Sequence, residues 1–205
     1  MKYRLSPRVA LLIIAALFFL PLVLAWLMHS GTIEFRPHST RNFGQLVHPP
    51  LPLTWAGVYP DSSMDGPLAG TFEGHWLILH AVPQPCGEDC LRDIADLRQV
   101  HRAAGRQQSR IRLALLHDTE GRDEAGVLQD IYSAFRLLRN PDGSLWLSLE
   151  RVASQSEPAA PAQGSTYLID PLGNIMLFYA AGYDPNDLKN DLKRLLTWSK
   201  LDEQS

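Results

Sequence analysis

Cysteine and basic charge are both scarce in this sequence. Only two cysteines occur among its 205 residues, and the formal net charge at pH 7 is -3. Without a basic surface the chain has no electrostatic footprint for nucleic acid, so nucleic acid is excluded as an expected partner. The sequence also contains no internal repeat. Hydrophobic residues make up 45% of the chain, and this share and length predict one packed domain with an appendage.

Charge is absent altogether from one long N-terminal stretch. The segment from Val9 to Leu27 is apolar and interrupted only by Pro21, and it is about as long as a helix needs to cross a bilayer core. Three basic residues precede it, namely Lys2, Arg4 and Arg8. Because basic residues stay on the cytoplasmic side of a membrane, residues 1–28 are predicted to form one transmembrane anchor with a cytoplasmic N-terminus.

The predicted location is the cell inner membrane, entered through residues 9–27, with the C-terminal domain in the periplasm. A cleaved signal peptide is the alternative, because Val23-Leu24-Ala25 has the small residues typical of a signal-peptidase site. An anchor is favoured since the apolar stretch is longer than a signal h-region of roughly 7–15 residues. Outside the cytoplasm, a pair of cysteines oxidises unless another protein keeps it reduced.

Prolines interrupt the segment that follows the apolar stretch. Residues 29–54 contain no sustained hydrophobic period, and they include Pro37, Pro49, Pro50 and Pro52. This composition predicts an extended, solvated tether. The folded domain is predicted to occupy residues 55–205.

The two cysteines lie close together, at a predicted change from strand to helix. Cys86 and Cys90 follow the apolar segment Trp76–Val82, which is typical of a buried strand, and precede the amphipathic segment Leu91–Ala104. A sulfur at a helix N-terminus is favoured as thiolate, so Cys86 is placed to be reactive. Two sulfurs four residues apart are able to close a disulfide or to bind a soft metal ion. A permanent structural disulfide and two unrelated core thiols remain the alternatives.

The order of predicted elements is β-α-β-α-(β)-β-β-α. After the first strand and helix come a strand at Ile111–His117, an amphipathic helix from Ala125 to Leu138, a short edge strand at Leu145–Leu149, a hairpin of Thr166–Asp170 with Ile175–Tyr179, and a last helix that begins at Asp184-Pro185. Two strands joined by a helix pair in parallel, whereas the closing hairpin adds antiparallel strands. The predicted fold class is therefore α/β and thioredoxin-like, with a central mixed sheet flanked by helices and one N-terminal transmembrane helix.

Several motifs together resemble the Sco/SenC family of copper proteins for cytochrome c oxidase assembly. The strand Gly74–His80 leads into Cys-Gly-Glu-Asp-Cys at residues 86–90, as a GKW-like strand leads into a CxxxC motif in that family. Tyr167–Gly173 reads Tyr-Leu-Ile-Asp-Pro-Leu-Gly and is similar to the family's YLIDPDG hairpin, and Asp118 matches its Val-Asp strand end. The segment Asn42–Pro50 resembles a stretch of related membrane-anchored oxidase-biogenesis proteins. The likeness covers roughly residues 72–198 and includes the N-terminal anchor.

The resemblance implies a copper site, and this chain departs from its ligand set. The family's ligands are both cysteines and a histidine about five residues before the hairpin tyrosine, where this chain has no histidine near Ala162. Gly87 also replaces the family's proline. Two thiolates suit Cu(I), so the predicted ligands are Cys86 and Cys90, with His117 as the best substitute for the third and His80 as the second choice.

Three functions follow as hypotheses. The first is a membrane-anchored assembly factor that acts on a cytochrome c oxidase subunit, or on another copper or thiol protein. It would deliver Cu(I) or reduce thiols through Cys86 and Cys90. The second is a general periplasmic thiol–disulfide oxidoreductase, which is the enzyme class expected if the protein is an enzyme. The third is a non-catalytic scaffold with a structural disulfide.

Overall fold

The structure is a computed structural model that describes residues 6–29, 42–60, 72–117 and 134–199. The chain divides into two compact units, Met1–Thr40 and Arg41–Ser205. The first unit contains helix α1, Pro7–His29, with Pro21 inside it. Many of its large apolar side chains are exposed, including Leu17 at 76% and Phe18 at 73%.

A membrane-spanning helix is not found in the described parts of the chain. No helix there combines the length and the apolar character needed to cross a bilayer. The transmembrane anchor in residues 1–28 therefore stays a prediction.

In its described residues, the second unit is built on a seven-stranded mixed sheet. Its strands are β1 Gln45–Pro52, β2 Tyr59–Pro60, β3 Trp76–Ala81, β4 Ile111–His117, β5 Arg136–Arg139, β6 Thr166–Ile169 and β7 Asn174–Tyr179, in the spatial order β1-β7-β6-β3-β4-β5-β2. Strand β3 pairs in parallel with β4, and β4 with β5, whereas the other neighbours are antiparallel. The predicted α/β class with a mixed sheet is confirmed.

Helices cover the sheet. They are α2 Glu88–Ala103, α3 Ser144–Ser154 and α4 Pro185–Trp198, with a 3-10 helix at Gly105–Arg110. Successive side chains of a strand point to opposite faces of the sheet, and the side chains of β3 follow this alternation. Trp76 and Ile78 join the apolar cluster of α2 and α4, whereas Leu77 and Leu79 join the cluster of α3. Strand β3 is buried along its whole length, so its C-terminal end lies between the two helical layers.

Local sequence explains the ends of α2 and α4. The first turn of α2 carries acidic residues at 88 and 89, which the positive end of the helix dipole favours. Asp184 caps α4 by accepting a hydrogen bond from the Asn186 backbone at 2.9 Å, and Pro185 occupies the first turn. This cap agrees with the prediction from the Asp-Pro pair.

The helix predicted from Ala125 to Leu138 is wrong at its C-terminal end. Residues 118–133 lie outside the described residues, and Arg136–Arg139 is strand β5. It pairs in parallel with β4 and antiparallel with β2. Periodicity alone does not distinguish a helix from a buried strand in a short apolar segment. Here the pairing with the buried strand β4 makes the segment a strand.

The edge strand predicted at Leu145–Leu149 is also wrong, because this segment lies in α3. Leu145, Leu149 and Val152 follow helical spacing and are all buried. The Asp142 carboxylate accepts hydrogen bonds from the Ser144 backbone at 3.1 Å and from the Ser144 hydroxyl at 2.9 Å. The first of these bonds gives the leading backbone N–H of the helix an acceptor directly after the turn.

The tether predicted for residues 29–54 differs from the structure at its C-terminal part. Gln45–Pro52 is strand β1, which pairs antiparallel with β7 at one edge of the sheet. The register shifts between Leu46 and Leu51, around the two prolines in the middle of the strand. Proline lacks a backbone donor and is tolerated on an edge strand or at a bulge. Residues 45–52 thus belong to the sheet of the second unit, whereas residues 30–41 of the predicted tether lie outside the described residues.

Candidate functional site

Cys86 and Cys90 form a disulfide between the end of β3 and the first turn of α2. The sulfurs are 2.04 Å apart and the Cα atoms 5.3 Å apart. The described residues contain no free cysteine. The prediction that this pair comes within disulfide distance is confirmed, whereas its catalytic role stays a prediction.

The two sulfurs differ in their access to a partner. Cys90 is 4% exposed and lies within the apolar cluster of α2. Cys86 is only partly buried and packs against the same cluster from outside. Cys86 is therefore the more accessible residue of the pair.

Acidic side chains border the disulfide on the solvent side. Glu88 and Asp89 are exposed, and Asp89 accepts a hydrogen bond from Arg92 at 3.0 Å. Burial raises the pKa of Asp93, and the nearby carboxylates of Asp96 and Asp89 raise it further. This negative charge opposes a cysteine thiolate, whereas the N-terminus of α2 favours it.

His80 lies on the same face of β3 as the disulfide. It alternates with Ile78 and Val82, both of which belong to the apolar cluster that holds Cys90. Its side chain is fully buried, with Nδ1 3.0 Å from the Thr166 hydroxyl oxygen. Burial lowers its pKa to about 4, so the ring is neutral near neutral pH. Its Nε2 has no hydrogen-bond partner among the described residues.

His117 ends β4 on that same face. Ile111, Leu113 and Leu115 alternate with it and belong to the cluster of α2, and His117 itself is 5% exposed. Across the described ranges, no three His, Cys, Asp or Glu side chains are grouped so as to hold a metal ion. The ligand set of Cys86, Cys90 and His117, and with it copper, therefore stays a prediction.

The loop before β6 borders the end of β3, where the resemblance implies a histidine. Ala162 in this loop is buried. The Gly164 backbone N–H donates to the Ala81 carbonyl at 2.7 Å, and the Ala81 N–H donates to the Ser165 carbonyl at 3.0 Å. The loop is therefore fixed against the strand without a ligating side chain at this position. Asp118 lies outside the described residues.

Two polar residues near His80 had no signal in the sequence. Thr166 pairs with His80 across β6 and β3, and the Thr166 side chain also lies near that of Tyr183. Burial raises the pKa of Tyr183, so its hydroxyl stays protonated. Thr166 and Tyr183 are remote from the cysteines in sequence, and only their positions in the sheet and the loop after it bring them to this face.

Comparison with known proteins gives one family match. Residues 76–199 match the family model described as "Transmembrane-like, thioredoxin-like, C-terminal domain". No curated protein matches the sequence. The predicted thioredoxin-like fold is confirmed by the family match.

Comparison with solved structures finds similar chains at low identity. One is a thiol:disulfide interchange protein of the thioredoxin family from Chlorobium tepidum, with 15% identity, a TM-score of 0.50, and coverage of 72% of this chain and 97% of that one. Another is copper-bound ScoI from Arabidopsis thaliana, with 14% identity, a TM-score of 0.48, and coverage of 63% and 88%. A third is copper-bound Sco1 from yeast, with 14% identity, a TM-score of 0.49, and coverage of 65% and 82%.

Proposed function

This chain belongs to the family of transmembrane-like, thioredoxin-like C-terminal domains, and we propose that it performs thiol–disulfide exchange through Cys86 and Cys90. The observation that carries the proposal is the pairing of a partly exposed Cys86 with a buried Cys90 at the start of α2. A purely structural disulfide has no need for an accessible sulfur at a helix N-terminus, whereas exchange requires one.

The exchange has a simple course in this geometry. A thiolate of a partner dithiol attacks Cys86 Sγ, the bond to Cys90 breaks, and a mixed disulfide links Cys86 to the partner. The second partner thiol then attacks the mixed disulfide and releases Cys86. Two electrons pass from the partner dithiol to the pair, a disulfide forms in the partner, and two protons end on Cys86 and Cys90. The reverse direction oxidises a partner.

Trapping the mixed disulfide tests this course. A Cys90→Ser variant leaves Cys86 without its resolving partner, so it is expected to accumulate a covalent adduct with a model peptide disulfide. Cys86→Ser is the matched control, because it leaves only the buried Cys90. Equal adduct formation by both variants, or a wild-type reduction potential below about -300 mV, which is typical of structural disulfides, would contradict the proposal.

The finer function is an extension of this exchange. The CxxxC and Tyr-Leu-Ile-Asp-Pro motifs resemble those of Sco/SenC proteins, and on that likeness we propose a role in copper-centre maturation of cytochrome c oxidase. Its substrate would be a cysteine pair of an oxidase subunit that must be reduced before it receives copper. Loss of oxidase copper in a deletion strain, restored by the wild type and not by Cys86→Ser, is the expected result.

Delivery of Cu(I) is the second candidate function, with copper as cargo. Once the disulfide is reduced, Cys86 and Cys90 provide two adjacent soft sulfur ligands of the kind that Cu(I) prefers. The described residues add no third ligand to them. We therefore expect Cu(I) to bind the reduced protein at one equivalent and Cu(II) to bind poorly. Tight stoichiometric Cu(II) binding with a thiolate charge-transfer band would point to a third ligand such as His117.

Attachment to the inner membrane completes the proposal. It is supported by the uncharged run from Val9 to Leu27 and by the basic residues before it. A tether raises the effective concentration of the domain near a target in the same membrane. Membrane fractionation tests it: a mature protein that begins at Trp26 and is released with periplasmic contents would mean that the segment is a cleaved signal.

A further inference from the structure

One ring nitrogen of His80 is buried without a hydrogen-bond partner. The side chain is 0% exposed, its Nδ1 lies 3.0 Å from the Thr166 hydroxyl, and its Nε2 has no partner among the described residues. A buried polar atom left unpaired is unfavourable. A native structure that keeps one calls for an explanation, and a role in a second redox state is one of the known explanations.

The position of His80 connects this nitrogen with the cysteines. Ile78 and Val82 flank it in the alternation of β3, and both belong to the apolar cluster that includes Cys90 and receives Cys86. Strand β3 runs directly into the loop that carries Cys86. The His80 side chain therefore lies on the disulfide-bearing face of β3, near the end of the strand that leads to Cys86.

We propose that His80 is a positioning residue for the cysteine pair, whose Nε2 pairs with the Cys90 sulfur when the disulfide is reduced and thereby stabilises the dithiol state. This inference rests on the proposed function. In the oxidised protein the Cys90 sulfur has no proton and is held by its bond to Cys86. In the reduced protein it gains a proton and the freedom to change rotamer, so it becomes a donor and a weak acceptor.

The chemistry of the ring supports this pairing. Burial lowers the pKa of His80 to about 4, so the imidazole is neutral and offers one N–H and one lone pair. The hydroxyl of Thr166 both donates and accepts, and it therefore satisfies Nδ1 in either tautomer. Depending on the tautomer, Nε2 is then either an acceptor or an N–H donor. A thiol can pair with it in both cases, because it is a weak donor and a weak acceptor.

The electron and proton balance is unchanged by this role. A partner dithiol supplies two electrons and two protons, the Cys86–Cys90 bond breaks, and a partner disulfide forms. The proton that Cys90 receives lies in its hydrogen bond with Nε2, and His80 is neutral before and after the reaction. The effect of His80 is on the equilibrium between disulfide and dithiol.

The test compares the full-length wild type with His80→Leu, His80→Gln and His101→Leu. His101 is the matched control, a partly buried histidine farther along α2 whose ring contacts Gln108. Each protein is equilibrated with reduced and oxidised glutathione, and the dithiol fraction is measured by alkylation. We expect His80→Leu to shift the equilibrium toward the disulfide by about tenfold, which is ~30 mV for a two-electron couple. His80→Gln, whose amide both donates and accepts, is expected to shift it less, and His101→Leu not at all.

A second measurement guards against simple loss of folding. Thermal unfolding of each variant is recorded with the disulfide intact and after reduction by excess dithiothreitol. We expect His80→Leu to lower the Tm of the reduced form more than that of the oxidised form, because only the reduced form loses a bond at Nε2. Equal effects on both forms, or a glutathione equilibrium within about twofold of wild type, would overturn the inference.

Failure of the proposed function has a different signature. A wild-type disulfide that glutathione does not open at any ratio, and a Cys90→Ser variant that forms no adduct, would refute the exchange. The dithiothreitol comparison would still decide whether His80 stabilises the dithiol.

Discussion

The carboxylate of Asp191 on α4 accepts a hydrogen bond from the hydroxyl of Tyr179 on β7 at 2.9 Å, and both side chains are buried. The same oxygen accepts hydrogen bonds from the backbone N–H groups of Phe43 and Gly44, each at 2.9 Å. One carboxylate thus joins the last helix, the sheet and the segment that leads into β1. The start of the folded unit depends on this junction.

Replacing Asp191 is expected to destabilise the domain strongly. Asp191→Ala leaves one hydroxyl and two backbone donors without their acceptor, so the free energy of unfolding should fall by about 3 kcal/mol. Asp191→Asn, which keeps an oxygen acceptor, should lose less. Chemical denaturation measures both, and Asp187→Asn, at a partly buried position on the same helix, is the control. A loss below about 1 kcal/mol for Asp191→Ala would mean that the junction is not important for stability.

Gly44 is expected to tolerate no side chain. A Cβ at this position would lie 2.5 Å from the Tyr179 ring, which is buried. Gly44→Ala should therefore destabilise the domain by about 1–3 kcal/mol through overpacking. Gly87→Ala is the comparison, because a Cβ there meets nothing within 4 Å. Similar melting temperatures for the two variants would contradict this prediction.

The N-cap of α4 should contribute measurably to stability. Asp184→Ala removes the acceptor of the Asn186 backbone N–H and should lower the free energy of unfolding by about 1 kcal/mol. Asp184→Asn retains a capping oxygen and should remain close to wild type. If both variants unfold at the same denaturant concentration, the cap is not the source of the loss.

Stability should decrease in mild acid because of His80. Burial lowers its pKa to about 4, below the unfolded value of about 6.5, so between these values the unfolded state binds more protons. The contribution of neutral His80 to the free energy of unfolding is fully present above about pH 6.5. It is lost as the pH falls toward 4, by up to about 3 kcal/mol. Denaturation measured across this pH range should show a weaker dependence of the free energy of unfolding on pH for His80→Leu than for wild type. Parallel pH profiles would show that His80 is not the group responsible.

Local patterns were sufficient for part of this protein. The strand Trp76–Ala81, the cysteine pair and the helix after it follow from one apolar segment, a turn and helical spacing, all of which are properties of neighbouring residues. The cap at Asp184-Pro185 is equally local. The disulfide was predictable because four residues at the start of a helix bring two sulfurs within reach of each other.

Pairing between distant segments decided the rest. Arg136–Arg139 is a strand because β4 lies beside it, and Gln45–Pro52 joins the sheet because β7 offers an edge that tolerates proline. Amphipathic spacing and proline content do not reveal these neighbours, so the sequence predicted a helix end and a tether.

The candidate site divides in the same way. The sequence by itself determined that Cys86 and Cys90 are adjacent at a helix start, since their spacing and the strand before them suffice. Only the tertiary structure decided that Cys90 is buried while Cys86 is accessible, and that His80 lies on the disulfide-bearing face beside Thr166. The reason is physical: burial and the pairing of His80 with Thr166, 86 residues away along the chain, depend on sheet register and helix packing, which no local pattern encodes.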